Sequence, residues 1–249
     1  MLRMTKNITI ALIPGDGIGR EVVPGAVQVL EAVGRKFSIA FKFNEFDWGC
    51  ERYTKYGAMM PEDGLEQIID SDAILLGAVG FPGVPDHVSL WGLLIPIRRK
   101  FQQYVNLRPI RFFEGMIPSV RLSSPEKIDM LIIRENNEGE YSEVGGRLYE
   151  GTPNELVIQQ SIFTRHGTDR IMRYAFNTSN MRERKHITSA TKSNGIIHSM
   201  PFWDERFAAI AIDYPDVKTD QFHIDALAAL FVQKPEFFDV VVASNLFGD

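Results

Sequence analysis

Seven side chains could carry chemistry: the arginines Arg98, Arg108 and Arg134, the aspartates Asp225 and Asp249, and Lys192 and Tyr141. A guanidinium grips a carboxylate through two parallel hydrogen bonds, so three arginines that met would suit a di- or tricarboxylate. Spacing alone does not show that they meet, and each one singly also reads as a surface residue. Asp225 begins a helical stretch in QFHIDAL, where it reads as an N-cap, and Asp249 follows the apolar run VVVA. Two carboxylates at strand exits on one edge could share magnesium or manganese, which prefer oxygen ligands, although such a site usually wants more than two. Lys192, in TSATKSNG, lies between a strand and a helix, where α/β folds place functional groups. It acts as a base only with a lowered pKa; otherwise it is a loop lysine. Tyr141 follows three glutamates in RENNEGEY, and its plainer reading is a solvated turn tyrosine. The five histidines have no metal-ligand spacing.

The loop PGDGIG, with Gly15, Gly17 and Gly19, stands where a dinucleotide fingerprint belongs, after a first strand and before a first helix. Its glycines do not follow G-x-G-x-x-G, and Asp16 opposes a pyrophosphate, so a tight turn is the stronger reading.

The elements that must position these groups alternate between short β-rich runs and longer segments of helical period. Ile8–Ile13 predicts a strand, followed by a helix with Val22, Val23, Ala26, Val27 and Leu30 on one face. Residues 37–46 predict a strand, 61–70 a helix, and AILLGAV at 73–79 a fully buried strand. After a loop at 81–90 come a helix over 92–104, an extended NLRPIRFF, the buried strand DMLIIR, and a Gly-rich hairpin arm near 139–164. Helices near 168–177, from about 195 to 213 and from Asp225 then alternate with strands at 186–190, 217–223 and 238–243, Trp203, Phe207, Ile210, Ala211 and Tyr214 forming one stripe. This rhythm implies an α/β fold with a parallel sheet covered on both faces.

Composition narrows the partners. A net charge of −5 with scattered basic residues excludes a nucleic-acid or anionic-membrane surface and leaves a small molecule as the expected partner. A single cysteine, Cys50, excludes an internal disulfide and a multi-thiolate zinc site and suits a reducing compartment; with no signal-like or membrane-length apolar run, cytoplasmic is the expectation.

Together IALIPGDGIGREV, LLIPIRRKFQQYVNLRP, IIRENNEGEY, TSATKSNG, HIDAL and DVVVASNLFGD resemble, in order, the β-decarboxylating dehydrogenases, the family of isocitrate and 3-isopropylmalate dehydrogenases. Within it, DHVSLWG, YVNLRP, SATKSNG and SMPFWDERF are similar to the branch acting on tartrate and D-malate. The resemblance implies a two-domain fold that is not a typical Rossmann fold: 1–103 as the first half of a cofactor-binding domain, and 104–249 as a substrate, metal and dimerisation domain. Arg98, Arg108 and Arg134 would grip the carboxylates of a 2-hydroxy acid, and Asp225 and Asp249 would hold magnesium or manganese. Lys192 would take the hydroxyl proton, Tyr141 would protonate the enol, and Asn194 would sit beside the nicotinamide of NAD. Potassium is a further cation it allows. Lys192 and Asp225 would come from the second subunit of a homodimer. Trp91 and Leu94 fall where the family reads the substituent next to the hydroxyl-bearing carbon, and a bulky Trp91 suits a hydrogen or hydroxyl there. The alternatives are a 3-isopropylmalate dehydrogenase and a non-catalytic fragment that only joins full-length subunits. Asn137 replaces the threonine usual in RENTEGEY, which touches local loop contacts. Family members run roughly a hundred residues, about one small domain, past SNLFGD, which implies a truncated chain with a sheet edge and apolar helix faces uncovered.

Overall fold

The alternating runs fold into two separate sheets in a computed structural model, which describes residues 6–117 and 125–249. The chain divides into two units, Met1–Phe101 and Gln102–Asp249.

In the first unit, β1 (Lys6–Gly15) leads into α1 (Gly19–Phe37), β2 (Ile39–Glu45), α2 (Cys50–Tyr56), α3 (Gly64–Gln67) and β3 (Ala73–Ala78). The helix α4 (Asp86–Ser89) then runs through a wide π turn at Leu90–Leu94 into α5 (Ile95–Lys100). The sheet is parallel, in the order β2-β1-β3. The central strand β1 buries Ile10–Ile13, and a cluster of Ala11, Ile13, Trp48, Cys50, Met59, Ile68, Leu93 and Ile97 forms the core.

Five expectations shift here. Val22 is 52 % exposed, because it lies about 100° around the helix from buried Val23. Phe37 closes α1 rather than opening β2, since Ser38 adopts a left-handed conformation (φ 58°) that caps the helix. β3 is half-buried, as an edge strand of this sheet must be. The 61–70 helix contracts to the four residues of α3, and the loop expected at 81–90 already contains α4. On α1, Val29, Val33 and Phe37 are exposed with Val22, as is Ile18 at the N-cap.

The second unit adds β4 (Val105–Arg111), β5 (Asp129–Glu135), the hairpin strands β6 (Gly145–Leu148) and β7 (Leu156–Gln159), and α6 (Arg165–Met181). It continues with β8 (His186–Thr191), α7 (Ser199–Ala211), β9 (Lys218–His223), α8 (Ile224–Gln233) and β10 (Val240–Ala243). Its sheet has the order β4-β5-β10-β8-β9; all strands run parallel except β4, which is antiparallel to β5. Strands buried on both faces explain the unbroken apolar runs. Val240 and Val242 pack with Ile171, Phe176, Trp203 and Phe207 of α6 and α7, while Val241 and Ala243 pack with Leu227 of α8 and Phe238 on the other face. Tyr214 lies past the end of α7 but keeps the stripe's packing, its ring 5.1 Å from that of Phe176. The antiparallel pair β6 and β7 is exposed throughout. Among the described residues no helix is long and apolar enough to cross a membrane.

Candidate active site

The carboxyl ends of parallel strands are where open α/β sheets bind ligands, and in the second unit the expected residues collect at that edge. Arg134 is the penultimate residue of β5, Lys192 directly follows β8, Asp225 comes two residues after the end of β9, and Asp249 hangs on the turn after β10. The antiparallel β4 begins at this edge, pairing Asn106 with Arg134 and so bringing Arg108 to it.

Arg108 and Arg134 meet on one carboxylate, that of Asp249. Arg108 donates to Asp249 Oδ1 at 3.0 Å and to its main-chain oxygen at 2.9 Å, while Asn106 Oδ1 accepts from Arg108 Nε at 3.1 Å. Arg134 Nη1 lies 3.1 Å from Asp249 Oδ1. Tyr141 donates its phenol to Asp249 Oδ2 at 3.2 Å and lies under the Arg134 guanidinium, 5.7 Å from ring centre to cation. Burial pushes the Asp249 carboxyl up, but the Arg108 hydrogen bond and the Arg134 charge outweigh it and hold the group below its usual range. Burial and the charge of Asp249 push the Tyr141 phenol up, so it keeps its proton and can donate it.

Arg134 does not present the open fork expected of it. It is 2 % exposed, and Asn245 occupies most of the guanidinium: Nε donates to the Asn245 main-chain oxygen at 2.7 Å and Nη2 to its Oδ1 at 2.6 Å. Asp249 is also not at the strand end itself; it lies six residues past Ala243, at the end of a turn.

Lys192 and Asp225 form a second pair, with Nζ donating to Asp225 Oδ1 at 2.8 Å. That bond lowers the Asp225 pKa. Asp225 is the second residue of α8, with His223 at the N-cap, so the capping expectation is corrected. Asn194 is exposed in the turn after Lys192. Among the described residues no three of histidine, cysteine, aspartate and glutamate gather as a metal cage. The sheet order puts Asp249 on the β10 side and Lys192 and Asp225 on β8 and β9.

In the first unit, Trp91 and Leu94 lie in the π turn, half-buried, and Arg98 lies in α5. The Arg99 guanidinium stacks 5.0 Å from the centre of the Trp91 ring. The PGDG loop is a structural turn. Gly15 has φ of 72°, and a Cβ there would come within 2.1 Å of the Ala78 oxygen. Asp16, 3 % exposed, accepts from the Cys50 N–H at 2.9 Å and the Gly80 N–H at 3.1 Å, joining the exits of β1 and β3 to the start of α2.

Sequence reasoning missed the glutamates of RENNEGEY as staples. Glu135 accepts from the Asn137 N–H at 2.8 Å and the Glu138 N–H at 3.2 Å. Glu138 accepts from the Thr164 N–H and hydroxyl, each at 2.8 Å, at the start of α6. Glu140 accepts from Ser244 and from the Leu246 N–H. Their partners lie up to 106 residues away, so spacing carried no signal beyond the run of acids itself. Asn137 Nδ2 reaches Gln102 Oε1 at 3.5 Å.

The carboxyl edge of this α/β sheet brings Arg108, Arg134 and Tyr141 onto the Asp249 carboxylate and pairs Lys192 with Asp225, an arrangement suited to a carboxylate. Residues 9–249 match the isocitrate/isopropylmalate dehydrogenase family, and the chain belongs to that family. It is 55 % identical over 248 residues to D-malate dehydrogenase (decarboxylating) of Escherichia coli (strain K12), covering 99 % of this chain and 69 % of that protein. It is 56 % identical over 246 residues to tartrate dehydrogenase/decarboxylase of Pseudomonas putida, covering 98 % and 67 %. Isocitrate dehydrogenase from Methylococcus capsulatus superposes with a TM-score of 0.83 at 31 % identity, over 97 % of this chain and 68 % of that one.

Proposed function

We propose that the chain forms the subunit of a metal-dependent, NAD-linked dehydrogenase that oxidises and decarboxylates a small 2-hydroxy dicarboxylate, D-malate or tartrate. The observation that carries this reading is the convergence of Arg108, Arg134 and Tyr141 on one carboxylate. Groups that already hold an aspartate side chain in this way suit the carboxylate of a substrate. The names of the two similar dehydrogenases support the choice of acid.

Asp225 and Asp249 would hold magnesium or manganese. Both are ionised oxygen donors with partly open side chains, 68 % and 44 % exposed, which fits a hard cation. Bound there, the cation would supply Lewis-acid polarisation of the substrate oxygens. Arg108 and the remaining edge of Arg134 bind and orient the acid; the family resemblance alone assigns Arg98 to its carboxylate and Trp91 and Leu94 to its substituent. Lys192 would take the hydroxyl proton and Asn194 would contact the nicotinamide, and NAD when bound would supply the hydride acceptor. Tyr141 returns a proton to carbon after carbon dioxide departs. Residues 1–103 mainly serve the cofactor and 104–249 mainly the acid, the cation and the dimer contact, with Arg98, Trp91, Leu94 and Asn194 as the crossings.

Lys192 and Asp225 act on the site of a second subunit. The exposed hairpin favours a second copy. A lone two-stranded ribbon is at best marginal in water, and Leu148, Leu156, Val157 and Ile158 suit cover by a second copy.

The test is NAD and NADP reduction with manganese and D-malate, tartrate or 3-isopropylmalate side by side. Turnover highest with D-malate or tartrate is expected; preference for isopropylmalate overturns the choice of acid, and no turnover with any overturns the reading. Co-expressed Tyr141→Phe and Lys192→Met chains, each inactive alone, should regain activity in mixed dimers. Absence of recovery in purified mixed dimers would refute the shared site.

A further inference from the structure

The carboxylate of Glu140 makes two bonds to the turn that carries Asp249. Its Oε1 accepts from the Ser244 hydroxyl at 2.8 Å and its Oε2 from the Leu246 N–H at 2.9 Å. The next residue, Tyr141, reaches the far end of the same turn at Asp249 Oδ2. Two successive side chains therefore bracket a six-residue segment. The turn is anchored at its base, where Ser244 and Asn245 are buried and Asn245 Nδ2 donates to the Glu138 main-chain oxygen at 3.2 Å. Beyond Asn245 it turns on its own bonds, Gly248 N–H to the Ser244 oxygen at 2.9 Å and Asp249 N–H to the Leu246 oxygen at 3.3 Å. Leu246 is 50 % exposed, and the Glu140 bond to its N–H holds the outer half of the turn together with the packing of Phe247 and the bonds of Asp249 to Arg108, Arg134 and Tyr141.

We infer that Glu140 is a positioning residue, which sets Asp249 in place for the divalent cation by holding Ser244 and Leu246. This rests on the reading of Asp249 as a cation ligand. Hard cations tolerate little displacement of their oxygen donors, and residues that orient a ligand from behind typically change metal affinity by about 10- to 100-fold when removed. Water can replace the lost partner at the exposed Leu246 N–H, so the cost falls on the order of the turn and not on folding.

The experiment measures manganese binding by electron paramagnetic resonance, and amide hydrogen exchange across 244–249, in the wild type and in Glu140→Ala, Glu140→Gln and Asp249→Ala. Glu140→Ala should weaken manganese binding by about 10- to 100-fold and raise exchange in the turn. Glu140→Gln should restore both, because an amide can accept from the Leu246 N–H through its oxygen and donate to Ser244 through its nitrogen. If Glu140→Ala does not fold, Ser244→Ala, which removes one of the two bonds, should shift both readouts in the same direction by less. Unchanged exchange in Glu140→Ala, or a Gln variant as impaired as the Ala variant, overturns the positioning role. Wild-type manganese binding in Asp249→Ala would sink the ligand reading instead, and the exchange data would still judge the turn.

Discussion

Asp16 and Asp249 both follow the carboxyl end of a parallel strand, in the first and second unit respectively, and they do opposite things with a carboxylate. Asp16 is buried and faces main-chain N–H groups of Cys50 and Gly80. Burial raises its pKa, but those donors outweigh it and the group stays ionised. Its lone pairs serve peptide groups that cannot move without unfolding three loops. Asp249 is 44 % exposed and faces side chains, the buried Arg134 and two partly open groups, the Arg108 guanidinium and the Tyr141 phenol, that can turn to another oxygen acceptor. An acid tied to backbone donors is architecture, and an acid tied to side-chain cations at an open edge is available for exchange. The same contrast explains why a glycine-rich loop after the first strand need not cradle a phosphate.

Exchanging the two acids for alanine should separate these roles. Asp249→Ala is expected to lower manganese-dependent turnover by about a thousandfold, the several kcal/mol that Lewis-acid catalysis supplies, while the urea unfolding midpoint stays near wild type. A large loss of stability would erase the contrast. Asp16→Ala should cost about 3 kcal/mol in urea unfolding, because buried N–H groups lose a charged acceptor, and leave manganese affinity unchanged. Asp16 also sharpens the comparison through pH. Its folded pKa is depressed, so its stabilisation is present above the unfolded value near 3.8 and is lost as pH falls through the lower folded value. Asp16→Asn should flatten that acid limb.

Glu135 gives the opposite slope. Burial pushes its carboxyl up to about 7 against the N–H groups of Asn137 and Glu138 and the Arg170 charge, and its Oε2 has no hydrogen-bond partner. The folded state then binds the proton more tightly, so stability falls as pH rises from about 4.5 to about 7 and the penalty is complete above that. Glu135→Gln keeps the acceptor that Asn137 and Glu138 use and should remove this slope. A slope unchanged in the variant would show that Glu135 does not titrate in that window.

The parts of the molecule legible in the sequence are those whose cause is local. VVVA and HITSA read as buried strands because both their faces are covered, and the α7 stripe reads because three of its ring and branched residues face one sheet. Expectations failed where the deciding contact was remote or a position differed by one. Val22 is one residue from the packed face, and Asp225 is two residues past the actual N-cap. The π turn at Leu90–Leu94 has no compositional mark. The arginines were legible as carboxylate-binding groups, but the Asn245 bonds that occupy Arg134 were not, nor were the bonds of Glu140 to Ser244 and Leu246, because hydrogen bonds between residues more than a hundred positions apart leave no periodicity.

The place of β10 has a consequence for how the second unit reaches its native state. It lies between β5 and β8, yet it is last of the three in the chain. A ribosome therefore releases both neighbours before the strand that joins them, and Arg134 awaits Asn245 across 111 residues. Until then a guanidinium destined for the interior has no partner and two strand edges stand open, so this half of the sheet gains stability in one late step. Such non-local closure is slow, and it makes the unfinished unit the stage most exposed to misassembly.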